Sequence, residues 1–318
     1  MKILVAGGAG FIGSHLSARL LKDNHEVICA DNLLTGSKKN IESLLENSAF
    51  SFLNHDVTNA LPDTISADAI FHLASPASPN HHSRLSYHAL PMETMMANSL
   101  GTLELLKFAE KNNATFLFAS TSEVYGDPLV HPQQEEYRGN TSSTGPRSIY
   151  DEAKRFGETL TAYYGREKKV NVRIARIFNT YGPNMLPEDK RMIVSFIMEG
   201  LQNKPIPIFG DGTQTRSLCY VDDMVEGLMR FMFYPNLGGQ IINLGSPDEY
   251  TVLEYAERVK KLLSSTSEIV LSEELPVDDP KQRRADITKA KRLLNWVPKI
   301  SLDEGLTKLI DYLRKLKA

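Results

Sequence analysis

Residues 2–32 read KILVAGGAGFIGSHLSARLLKDNHEVICADN, and this stretch limits the possible folds more than any other. An apolar run, a glycine-rich turn, a segment of helical period and a second apolar run follow in order, and the last ends on an acid. The glycines Gly7, Gly10 and Gly13 stand at GxxGxxG spacing, with Gly8 as an extra. One glycine permits the tight turn. Another lets the backbone come close to a pyrophosphate, and the third lets the helix pack on the strand. The helix opens with free backbone N–H groups and a partial positive charge, which suit an anion. Its apolar residues Ile12, Leu16, Leu20 and Leu21 recur at helical spacing. The second strand ends in Asp31, about 20 residues on, where an acid accepts bonds from an adenosine ribose. A 2′-phosphate would be repelled there, so the pattern favours NAD over NADP.

The alternation continues downstream. FSFLNHDV (50–57), DAIFHLAS (68–75) and TFLFAS (115–120) read as strands, and NSLGTLELLKFAEKN (98–112) reads as a helix. Strands alternating with helices predict an α/β fold, a Rossmann-type doubly wound parallel sheet, with its ligand at the strands' carboxyl ends. Asp56 and Val57 close one strand and either meet the adenine or simply end the strand. At 318 residues the chain has room for one large domain or two smaller ones. A net charge of −3 shows no footprint for nucleic acid or an anionic membrane. No run of apolar residues is long enough to cross a membrane, and MKILVAGG opens directly into a strand. The two cysteines, Cys29 and Cys219, sit among apolar residues and read as free buried thiols of a reducing compartment. These features together predict a soluble cytoplasmic chain.

Two stretches carry chemistry. ASTSEVYGDP (119–128) follows a strand and sets the hydroxyls Ser120, Thr121 and Ser122 directly before Glu123. RSIYDEAKRFGETLTAYYG (147–165) is amphipathic, and its Tyr150 and Lys154 lie four apart on one helix face. A lysine beside a phenol favours the phenolate. Such a tyrosine acts as a general base on a sugar or alcohol hydroxyl while hydride leaves.

With those residues in place, the chain resembles the extended short-chain dehydrogenase/reductases that act on nucleotide sugars, essentially from end to end. The matching segments are GGAGFIG (7–13), DN (31–32), HLASPASP (72–79), STSEVYGDP (120–128), YDEAK (150–154), RIFNTYGP (176–183) and GDGTQTRSLCYVDD (210–223). HLASPASP, STSEVYGDP and QTR together look most like the UDP-glucuronate decarboxylases. Dehydratases of the family typically show Thr-Asp-Glu where this chain has Thr-Ser-Glu, and epimerases lack the acid.

The resemblance implies an NAD-dependent enzyme with no metal and no added reductant. NAD would be held by Gly7, Gly10, Phe11, Ile12, Gly13, Asp31, Asn32, Thr35, Gly36, Asp56, Val57, Leu73, Ser75, Tyr150, Lys154 and Thr180. The implied catalytic set is Tyr150, Lys154, Thr121, Ser122, Glu123 and Arg216. Thr121 would bond the C4 oxygen, Lys154 would depress the pKa of Tyr150, and Ser122 and Glu123 would work near C5. A UDP-linked uronic acid would meet Tyr164 near the uracil, with Asn179, Arg191, Arg216 and Arg284. The fork of Arg216 suits a carboxylate or phosphate, or else lies on the surface. Arg284 either reaches a phosphate or belongs to a solvated basic face. Residues 1–178 would form the NAD-binding domain, with a segment near 210–245 returning to it, and 179–318 mainly the nucleotide-sugar domain. The helices 98–112 and 150–167 hold the family's dimer positions, so a homodimer is implied. Asp222 and Asp223 read as helix-start charges.

Two departures touch the substrate. About five extra residues follow HLASPASP, and the lysine the family carries near Asn98 is replaced by Met95-Met96-Ala97. The extra residues include His81 and His82, which without a neighbouring acid make a poor zinc motif. In GPNM (182–185) the arginine that usually follows the proline is absent. A 4-epimerase or 4,6-dehydratase, and a non-enzymatic NAD or nucleotide-sugar sensor, are the competing readings.

Overall fold

The computed structural model describes residues 1–317. In the first strand, β1 (Lys2–Ala6), Ile3 and Val5 join the core on one side of a sheet, and Leu4 and Ala6 join the core on the other. A strand apolar on both faces belongs inside a parallel sheet covered by helices on each side. α1 (Phe11–Lys22), β2 (Glu26–Asp31), β3 (Phe50–Asn54) and β4 (Ala69–His72) follow. Next come α2 (Pro91–Met96), α3 (Thr102–Asn112), β5 (Thr115–Thr121), α4 (Ser148–Glu167) and β6 (Val172–Ile177).

A last strand, Ile241–Leu244, completes a seven-stranded sheet in the order 241–244, β6, β5, β4, β1, β2, β3. Every pair is parallel. The strand order reverses between β1 and β4, which opens a crevice at their carboxyl ends. On one face Val5, Cys29, Phe71 and Leu117 share a core with Leu16 of α1 and with α6 (Val221–Phe233). On the other, Ile70, Phe116 and Phe118 pack with Leu105 and Leu106 of α3 and Tyr164 of α4. The architecture is the doubly wound sheet that the alternating pattern predicts. Cys29 and Cys219 are both free and buried. Among the described residues no helix is long and apolar enough to cross a membrane.

The helix expected over 98–112 begins earlier, at Pro91, and contains a π-turn over Ala97–Gly101. Within it the Asn98 side chain donates to the Thr94 carbonyl and to Ser75 Oγ, each at 2.8 Å. Such turns concentrate at functional sites. α5 (Met192–Gly200), the helix Val252–Leu263 and the helix Leu302–Lys317 form a second layer beside the sheet. Asp223 fastens this part. Its carboxylate accepts from the backbone N–H groups of Lys299 and Ile300 at 2.9 and 2.8 Å, and its carbonyl accepts from Trp296 Nε1. Asp223 is thus more than a helix-start charge.

Candidate active site

A cavity of about 490 Å³ opens at the crevice. At one end the β1–α1 turn brings Gly7, Gly10, Phe11, Ile12 and Gly13 into its wall. Gly7 has φ +80°, and a Cβ on Gly13 would lie 2.1 Å from the Gly7 carbonyl oxygen. The turn can therefore exist only with glycine at these positions. Asp31 closes β2 with a buried carboxylate that accepts from Ala9 N at 3.0 Å and Leu33 N at 2.8 Å. Asn32, Thr35 and Gly36 continue the wall, followed by Asp56, Val57, Leu73 and Ser75. Asp56 accepts from Thr58 Oγ1 at 2.8 Å and Asn32 Nδ2 at 3.3 Å. An anion-binding helix start, a glycine cradle and a fixed ribose-side acid fit a dinucleotide.

The other end holds the reactive side chains. Thr121, Glu123, Tyr150, Lys154, Asn179, Thr180 and Arg191 all line it. β5 delivers Thr121, and α4 sets Tyr150 and Lys154 one turn apart. Burial pushes the Tyr150 hydroxyl up to about 12, while contact with Thr121 pulls the other way. Lys154 donates to the Ala119 carbonyl at 2.7 Å and lies 5.7 Å from the Tyr150 ring centroid. Burial lowers its ammonium to about 7. Burial is the leading cause of both shifts, so each group is disposed towards its uncharged form.

Glu123 is buried between two guanidiniums. Arg147 Nη2 donates to one carboxylate oxygen and Arg283 Nη1 to the other. Arg147 also donates to Asp279 Oδ1 at 3.0 Å, and Arg216 to Asp279 Oδ2 at 2.7 Å. Burial alone would raise Glu123, but Arg147 and then Arg283 outweigh it and hold the carboxyl well below its ordinary range. Three guanidiniums face the two carboxylates Glu123 and Asp279, which leaves one cation in excess as long as the neighbouring Asp151 carboxyl stays protonated.

Four expected residues stand elsewhere. Ser122 begins the 3₁₀ turn Ser122–Tyr125 and is buried outside the cavity wall. Tyr164 packs in the core between sheet and helices. It follows Tyr150 by fourteen positions, which carries it about 21 Å along the helix axis. Arg216 is engaged with Asp279 and the Thr215 carbonyl, beyond the cavity wall. Arg284 is held by its backbone to Gln133, and the neighbouring Arg283 is the one that points inward.

Sequence reading missed Arg147, Arg283, Asp279 and Tyr87. Tyr87, in the segment that follows HLASPASP, stacks on Tyr150 with ring centroids 5.1 Å apart and an interplanar angle of 7°. Its buried hydroxyl has no partner, and the residue lines the cavity. Met96 and Ala97 occupy the wall where the family's lysine is absent.

Asp151 lies against this cluster with one buried carboxylate oxygen unpartnered. Burial, and then Glu123, push its carboxyl up from the ordinary 3.8. The unfolded chain therefore releases this proton at lower pH than the folded chain. Stability is lost as pH rises above the ordinary value. Asp151→Asn removes that loss. Its urea midpoint should exceed the parent's at about pH 8, with the gap closing towards about pH 4. A gap that does not change with pH would show Asp151 ionised in the fold.

Three comparisons bear on this site. A family model described as the NAD dependent epimerase/dehydratase family matches residues 3–245. UDP-glucuronic acid decarboxylase 5 of Arabidopsis thaliana is 50% identical over 307 residues, spanning 96% of this chain and 87% of that protein. UDP-glucuronic acid decarboxylase 1 of Danio rerio is 47% identical, spanning 98% of this chain and 72% of that protein. Among solved structures, UDP-glucuronic acid 4-epimerase from Bacillus cereus in complex with UDP-glucuronic acid and NAD superposes with TM-score 0.87 at 32% identity, covering 99% of this chain and 100% of that one. UDP-glucose 4-epimerase from Thermotoga maritima gives TM-score 0.88 at 30% identity, with both chains fully covered. By fold, glycine turn and matched length, this chain belongs to the NAD-dependent epimerase/dehydratase family.

Proposed function

We propose that this chain binds NAD and converts UDP-glucuronate to UDP-xylose through a 4-keto sugar. The observation that carries the reading is the half identity, over 96% of the chain, with a curated UDP-glucuronic acid decarboxylase. The epimerase structures share the fold at 30–32% identity. NAD, when bound, accepts hydride from C4 and returns it at the end of the cycle.

This chain's residues do the rest. Tyr150 takes the proton of the C4 hydroxyl, and Thr121, which contacts it, holds that oxygen. The Lys154 ammonium offsets the charge that forms on the phenolate. Once C4 is a ketone, the C5 carboxylate is β to it. The bond to the carboxylate breaks, CO₂ leaves, and the electron pair passes to the ketone oxygen as an enolate. Arg191 is in the wall, where its Nε is held by Asp189 at 2.7 Å, and its remaining guanidinium N–H groups suit a carboxylated sugar, with the arginines behind Glu123 adding positive potential. Glu123, held ionised, cannot supply the incoming proton. It accepts from a water that gives its proton to C5, and the hydroxide left behind takes up a proton from solvent, so the one proton that the decarboxylation consumes comes from the medium. Asn179 and Thr180 both line the cavity, which supports a sugar contact for the first and a cofactor contact for the second.

The remaining readings extend this one. The exposed apolar side chains Leu100, Phe156 and Tyr163 lie on the helical segment 97–112 and on α4. They support a homodimer through these helices, and light scattering at micromolar concentration should give twice the chain mass; a monomer mass would refute it. Free buried thiols fit a cytoplasmic enzyme.

Incubation with UDP-glucuronate and NAD⁺ should release CO₂ and a UDP-pentose. A UDP-galacturonate product would favour an epimerase, and binding without turnover a sensor. Tyr150→Phe should lower turnover by roughly 10²–10⁴ while NAD remains bound. Near-normal turnover would remove Tyr150 from the role of base.

A further inference from the structure

The extra residues after HLASPASP hold an arrangement that the proposed reaction does not use. Asn80 begins a turn in which its Oδ1 accepts from His82 N at 2.9 Å and its carbonyl from Ser83 N at 2.9 Å. The turn throws the imidazoles of His81 and His82 to one side, with ring centroids 4.2 Å apart. Phe209 packs near both rings, at 6.0 and 6.2 Å. The acid missing from the local sequence comes from the end of the strand Ile269–Glu273. Glu273 stands 3.5 Å from His81 Nε2 and 2.9 Å from His82 Nε2. One ligand atom from each of the three side chains lies within 4.8 Å of the others.

We propose that His81 Nε2, His82 Nε2 and the Glu273 carboxylate form a site for a divalent transition-metal ion of the zinc class. Two ligand atoms bonded at about 2.0–2.1 Å to a tetrahedral ion stand about 3.3–3.4 Å apart. The two histidine–glutamate separations bracket that spacing. Two imidazoles and one carboxylate select zinc, nickel or copper over calcium and magnesium, which take oxygen. All three residues are exposed, so water completes the shell. None of them lines the cavity, and the ion is therefore a clamp rather than a reactant. On its other side the same loop is bonded to the segment before Arg191. Ser83 Oγ donates to the Glu188 carbonyl at 2.8 Å and Ser78 Oγ to the Asp189 carbonyl at 3.2 Å. An ion would tie this loop, which carries Tyr87 into the cavity, to the second layer of the molecule. The inference does not depend on which sugar is bound.

The test is calorimetric titration of the tag-free, chelator-stripped full chain with zinc chloride. One equivalent should bind, and zinc should raise the melting temperature. His82→Ala and Glu273→Gln should each weaken binding by at least the roughly 10–100-fold typical of losing an outer-shell partner, and should abolish the thermal shift. Both positions are exposed, so circular dichroism should show an unchanged fold; His81→Ala supplies a third variant. Cobalt should give the intense visible absorption of a four-coordinate ion in the parent and not in the variants. No binding up to about millimolar zinc, or undiminished binding in all three variants, would reduce the cluster to a hydrogen-bonded surface pair and overturn the proposal.

Discussion

A carboxylate buried at the end of β5 is tolerable only because two guanidiniums meet it. Glu123 draws Arg147 from 24 residues away and Arg283 from 160 residues away. Removing one partner of such a pair leaves an uncompensated buried charge, at a cost of about 3–5 kcal/mol. Three parts of the molecule are tied at this point: the strand end, the approach to α4 and the segment that closes the second layer. Asp279 extends the tie to Arg216. The cluster joins these parts beside the reactive end of the cavity, which Glu123 lines.

The same cluster divides the chemistry. In the proposed reaction Thr121, Tyr150 and Lys154, which line one cavity, serve the oxidation of the sugar hydroxyl. In the same proposal Glu123, held by its arginines, acts after oxidation, at the carbon bearing the carboxylate. Because both of its oxygens are occupied by arginine, Glu123 works as an ionised acceptor and as an anchor for cations. A freely titrating acid at this position would offer neither.

What was legible in the sequence was local. The glycine turn, Asp31 and the Tyr150–Lys154 pair depend on spacings of a few residues within one element or one turn, and the structure brings them to one cavity. The ion cluster depends on contacts across the chain, and charged residues at such distances carry no pattern. Arg284 shows how narrow the margin is. In an extended segment adjacent side chains point to opposite sides, so a displacement by one residue separates the inward Arg283 from its neighbour. Tyr164 was implied by resemblance alone, and it lies on the helix of Tyr150 but about 21 Å further along the axis, in the core. His81 and His82 lacked an acid only in sequence, since Glu273 lies 191 residues further on.

The central claim is that Glu123 governs events at C5 after oxidation at C4. Single-turnover mixing of Glu123→Gln with UDP-glucuronate and NAD⁺ tests it most directly, following reduced nicotinamide and CO₂ together. The account predicts that the reduced cofactor forms at close to the parent rate and then persists, because CO₂ release or reprotonation is slowed. Failure to form it at all, or CO₂ release at the parent rate, would contradict the account.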